Sequence, residues 1–140
     1  MTTKIRNEQG SVTTEMAIIM VAFFAGFLML VVYAGRVSQA ENDVRSAAHE
    51  AARSATLEAS PSAAVTKAKS VAATNLAASG MACAHGSTVI VDTSNWGPGG
   101  WVTVTVSCTA NFSDVTSLAV PGNRTFTATA AEVIDVFRSA

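Results

Sequence analysis

Twenty consecutive residues from Met16 to Gly35, MAIIMVAFFAGFLMLVVYAG, carry no charge. At about 1.5 Å per helical residue such a run spans roughly 30 Å, the thickness of a bilayer's hydrocarbon core. A buried helix of a water-soluble domain normally keeps a polar stripe, and this run has none. The segment therefore predicts a membrane-spanning helix. What remains is room for one small domain.

The flanks predict orientation. Lys4 and Arg6 precede the run, while Arg36 is soon followed by the acidic Glu41 and Asp43. The positive-inside rule favours a cytoplasmic N-terminus and an extracytoplasmic remainder, with Arg36 as the opposing charge. The chain is 49% hydrophobic and 14% charged, and much of that apolar excess sits in the one run. A net charge of −1 offers no basic field for counterion release, so nucleic acid is not an expected partner. Aromatic residues, at 6%, are too sparse for a base-stacking platform.

Two processing sites compete. Val37-Ser38-Gln39-Ala40 has the small residues of signal-peptide cleavage, which would release a soluble domain starting at Glu41. The apolar run, however, exceeds the usual signal core of about 7–15 residues, which argues for a retained anchor. The other site lies upstream, in Arg6-Asn7-Glu8-Gln9-Gly10-Ser11-Val12-Thr13-Thr14-Glu15-Met16. Glu15 abuts the run, where a carboxylate needs a partner or a functional reason. It also suits the first turn of a helix, where negative charge is mildly favoured.

A short polar leader, Gly10, Glu15 at the fifth position after it, and an apolar helix resemble the class III (type IV) prepilin signal. The closer resemblance is to TadE-like proteins, minor pilins or pseudopilins of the tight-adherence (Flp) pilus system. It is carried by Arg6, Gly10, Ser11-Val12-Thr13-Thr14, Glu15, Ala17-Ile18-Ile19 and the border Tyr33-Ala34-Gly35-Arg36, with a chain layout similar nearly throughout. The family often has an aromatic residue after the glutamate and a proline about six positions beyond it. This chain has Met16 and Val21 there, and without the proline a straighter helix is expected. The resemblance implies that a prepilin peptidase cuts between Gly10 and Ser11 on the cytoplasmic side and leaves the helix intact. Glu15 would then pair with the new ammonium of Ser11 in a neighbouring subunit, neutralising both charges within a helical bundle.

Beyond Arg36 the helix continues as RVSQAENDVRSAAHEAARSATLEA, with Val37, Ala40, Val44, Ala47, Ala51 and Ala55 on one face. Glu41 and Arg45 form an i,i+4 pair. The small-residue stripe suits close helix approach rather than a thick core. Ser60-Pro61 reads as N-cap and first residue of a second helix, with Val65, Ala68, Ala72 and Leu76 inward and Gly80 as its stop. The two helices are expected to form a hairpin.

The period then changes. Ser87–Asp92 is a short strand, and Ser94–Gly100 is a turn-rich break. Trp101–Cys108 alternates, with Val102, Val104, Val106 and Cys108 on one face. A third extended segment runs from about Thr125 to Phe137, its threonines opposing Phe126, Ala128 and Ala130. An antiparallel sheet against helix is the natural assembly. Cys83, before the first strand, and Cys108, ending the second, would be neighbours in such a hairpin. Outside the cytoplasm they are expected to form a disulfide, the alternative being two buried thiols.

No catalytic constellation is legible. Cys83-Ala84-His85 and His49 fall short of a tetrahedral metal site, so neither metal nor cofactor is expected. There is no phosphate-binding loop or nucleophile elbow, and no small-molecule substrate is implied. Trp96 and Trp101 offer either an exposed contact surface or a hairpin cap. Asn111-Phe-Ser and Asn123-Arg-Thr match the glycosylation pattern, a motif short enough to arise by chance.

The expected fold class is α+β: a long N-terminal transmembrane helix continuing into an Ala-rich helical hairpin, then a small three- or four-stranded antiparallel sheet. The expected division is a cytoplasmic leader over 1–10, a transmembrane helix over 11–35, the hairpin over 36–80 and the sheet over 81–140. The expected function is that of a non-enzymatic minor pilin or pseudopilin in the cell membrane, carried from there into a surface pilus. Its partners would be the membrane, other pilin subunits, the pilus assembly platform and the prepilin peptidase. The competing readings are a tethered binding module that does not polymerise and a secreted domain cleaved after Ala40.

Overall fold

The computed structural model describes residues 9–112 and 122–137. The leader residues Lys4 and Arg6, and Ser113 of the first glycosylation pattern, lie outside the described residues. The elements are α1 (Gln9–Thr56), α2 (Pro61–Ala78), β1 (Cys83–Asn95), β2 (Trp101–Asn111) and β3 (Asn123–Val133). The class is α+β, with one three-stranded antiparallel sheet in the order β1-β2-β3. The chain divides into two compact units, Met1–Arg36 and Val37–Ala140.

The second unit is two layers, helices on one face of the sheet. β2 supplies the alternation that makes this work. Val102, Val104, Val106, Cys108 and Ala110 are buried, while Thr103, Thr105, Ser107 and Thr109 between them face the other way. β3 adds Phe126 and Ala130 to the inner face, and Ile134 just after the strand completes it. Phe112 meets Phe126 edge-on, with ring centroids 6.1 Å apart.

The helical half of the core is almost entirely alanine. α1 buries Ala40, Val44, Ala47, Ala48, Ala51, Ala52 and Ala55, and α2 buries Ala64, Ala68, Ala72 and Leu76. Alanine serves two ends here. It is the best helix former, and its short side chain lets backbones approach closely. The inward row of α2 begins at Ala64, not at Val65 as expected, because steps of four back from Leu76 lead to Ala64. Val65 is only half-buried. On α1, Val37 is likewise half-buried, whereas Ala48 and Ala52 widen the stripe.

α2 begins as the sequence predicts. The Ser60 hydroxyl accepts from the Ala63 N–H at 3.3 Å, and Pro61 occupies the first helical position. Its end is a Schellman closure. Gly80 turns to φ +75°, its N–H donates to the Ala77 carbonyl, and the Met81 N–H donates to the Leu76 carbonyl. α1 stops at Thr56, earlier than the expected Ala59. Leu57 and Glu58 close the end with turn hydrogen bonds to Ser54 and Ala55. A short connection, Leu57–Ser60, then returns the chain, and Ser46 and Glu50 of α1 share an open groove with Lys67, Ser70 and Thr74 of α2.

α2 packs on β1, and His49 of α1 reaches Glu132 of β3 at 3.8 Å, so the helices lie towards opposite edges of the sheet. β1 and β2 are longer than expected from the sequence. β1 runs Cys83–Asn95 rather than Ser87–Asp92, and β2 continues past Cys108 to Asn111. β3 begins at Asn123 and ends at Val133, short of Phe137.

Candidate functional site

The residues singled out for processing and assembly fall at the start of α1. Gly10 and Ser11 lie in its first turn, and Glu15 follows on its exposed surface. Ser11 and Glu15 are four residues apart in a continuous helix, so their backbone positions share a face one turn apart.

Every residue from Thr13 to Val32 is exposed. Ile18, Phe23 and Leu28, pointing in different directions round the helix, are 65%, 67% and 62% exposed. An all-round apolar helix has no water-facing side, which is incompatible with standing free in water. The helix is long and apolar enough to cross a membrane, with none of that stretch buried by the rest of the chain. This is compatible with a single-pass anchor.

Residues 10–53 match the model of a known family, described as TadE-like protein. Over this segment the chain is similar to that family. No curated protein and no solved structure matches the chain. The TadE-like segment opens at Gly10 and takes in Glu15, the whole apolar run, the Tyr33–Arg36 border and the buried stripe as far as Ala52. α2, both cysteines and the sheet lie beyond it, so the match covers less of the chain than the resemblance implied. It points to a protein associated with the tight-adherence pilus.

The second constellation is the pair of cysteines. Cys83 and Cys108 form a disulfide, with Cα atoms 5.3 Å apart. Cys83 is the first residue of β1 rather than a residue before it, and Cys108 lies inside β2. The bond is therefore a cross-strand link. Paired in this way, Cys83 is not available to join His85 as a metal ligand. Among the described residues no three His, Cys, Asp or Glu side chains gather as a metal site.

Two arrangements escaped the sequence reading. The outer face of the sheet carries a hydroxyl ladder, Thr105–Thr129, Ser107–Thr127 and Thr109–Thr125, each pair 2.8–2.9 Å apart. The alternation of hydroxyl residues was visible in each strand, but the register that sets them opposite each other was not. Asn111 and Asn123, from the two glycosylation patterns, are also directly opposed across β2 and β3. Trp101 stands on the same outer face, opposite Val133 and 52% exposed, which favours a contact surface over a cap for this residue. Trp96 is half-buried in the turn.

Proposed function

We propose that this protein is a minor pilin or pseudopilin of a tight-adherence pilus, held in the membrane by the apolar part of α1. The observation that carries this reading is the TadE-like match beginning at Gly10 and running through Glu15 into a fully exposed apolar helix. In this reading a prepilin peptidase cuts between Gly10 and Ser11 from the cytoplasmic side. The helix beginning at Ser11 then holds the subunit in the bilayer with its second unit outside the cytoplasm. Within the pilus or its base the same helix exchanges lipid for neighbouring subunits. Glu15 compensates the Ser11 ammonium of a neighbour, since two opposite charges in an apolar bundle are tolerable only as a pair.

The role is structural and non-enzymatic. The partners are other pilin subunits and the assembly platform, met through the helix and through the exposed outer unit. Cleavage after Ala40 fits poorly, because Ala40 is buried within α1 and belongs to the outer unit's core.

The test is the intact mass of the protein isolated from its native membranes. A mature chain starting at Ser11 is the expected result. An uncut chain would leave a tethered module that does not enter a pilus, and a start at Glu41 would leave a secreted domain. Alongside it, Glu15→Ala is expected to leave processing and membrane insertion in place while pili fail to form. Normal piliation by that strain would remove Glu15 from assembly.

A further inference from the structure

β1 buries least of the three strands. Like β3 it is an edge of the sheet, and although α2 packs on it, among the described residues it contributes no fully buried side chain to the core. Its inward residues Val89 and Val91 are only half-buried, and Ile90 is exposed on the outer face. Its pairing with β2 is interrupted as well. Cys83 faces Ala110 and Ser87 faces Cys108, so two more residues lie on β1 than on β2 across that interval, and a second irregularity falls between Asp92 and Asn95. β2 and β3, by contrast, pair without a break from Trp101–Val133 to Asn111–Asn123. The disulfide crosses the weak seam at its start, from half-buried Cys83 to buried Cys108.

We propose that the Cys83–Cys108 bond is a redox latch on β1: the oxidised chain holds β1 between β2 and α2, and the reduced chain lets β1 open while the β2–β3 hairpin stays folded. Segments with few buried contacts open separately from the rest of a domain, and a covalent link at their end is what raises the cost of opening. Here the link joins the least buried strand to the most buried one. Closing the latch takes two electrons and two protons from the Cys83 and Cys108 thiols. A disulfide-bearing oxidant accepts both and leaves as a dithiol. Thiol–disulfide oxidoreductases outside the cytoplasm are that class of partner. A chain still in a reducing compartment would keep β1 open, leaving β2 as the free edge of the sheet.

Hydrogen exchange on the full chain in detergent micelles tests this, comparing the oxidised protein, the same protein reduced with a phosphine, and Cys83→Ala. Cys83→Ala removes the half-buried partner and leaves Cys108 as a small apolar side chain in the core. Amides of Ser87–Asp92 are expected to exchange about a hundredfold faster in the reduced protein and in the variant, with those of Arg124–Ala131 in β3 unchanged. Unchanged exchange in β1 would overturn the latch. So would equal acceleration in all three strands, which would make the bond a general staple. The extracytoplasmic reading enters only through the oxidant, so this experiment can fail without touching the proposed function, and the reverse.

Discussion

Gly100 shows how little slack single positions leave. A β-carbon there would collide with the Asn95 carbonyl, the last residue of β1, and would crowd the Gly97 carbonyl that accepts the Gly100 N–H. Backbone atoms cannot swing aside as a side chain does. Gly100→Ala is expected to destabilise the second unit by about 2–3 kcal/mol, read as a lower denaturation midpoint. The Gly-rich break was legible as a turn, but the close approach belongs to the folded backbone. Asp92 makes a subtler contribution. Its carboxylate accepts the Ser94 N–H at 2.9 Å, and that bond, with the Ser94 hydroxyl, holds its pKa below the ordinary carboxylate value. A carboxyl with a lowered folded pKa adds stability above its unfolded pKa and loses it as pH falls through the folded value. The end of β1 should therefore loosen only below the ordinary carboxylate range, seen as faster exchange of the Ser94 amide than acid catalysis trends predict. Asp92→Asn should flatten that response.

At the scale of elements, the alanine rows make a sharp prediction because they tolerate no added volume. Ala51 is fully buried, whereas Ala73 lies on the exposed side of α2. Ala51→Leu is expected to cost about 1–3 kcal/mol in chemical denaturation, and Ala73→Leu less than about 0.5 kcal/mol. In the sheet, Val104→Ala removes a wholly buried side chain from the central strand and should cost about 2 kcal/mol. Thr129→Val, which breaks one rung of the exposed ladder, should stay within about 0.5 kcal/mol of the parent. The start of α2 was readable because its cap is local: Ser60, Pro61 and Ala63 are consecutive or nearly so. The inward row was misread at Val65 because hydrophobicity favours valine, while helical geometry places Ala64 in the row.

For the whole molecule the governing fact is the exposed apolar helix. Leu28→Arg places a charge near the middle of the run, at a cost of about 2.5–3.5 kcal/mol for a single helix at bilayer centre. The parent chain is expected to stay with membranes through alkaline carbonate extraction, and the variant to be released in larger part. Equal retention of both would argue that α1 is held by protein rather than lipid. The second unit is held differently, by close packing of small side chains in its helices against the valines, phenylalanines and disulfide of its sheet. Contiguous residues by themselves determined the charge-free run, the Gly10 and Glu15 spacing, the cap at Ser60 and the inward alternation of β2. Each of these is a property of neighbours along the chain, whose energies depend on local geometry. Only the tertiary structure decided that β1 starts at Cys83, that the hydroxyls of β2 and β3 meet in register, and that β1, among the described residues, leaves its inward valines half-buried. Register and burial are set by contacts between segments far apart in the chain, and no window of sequence contains both partners.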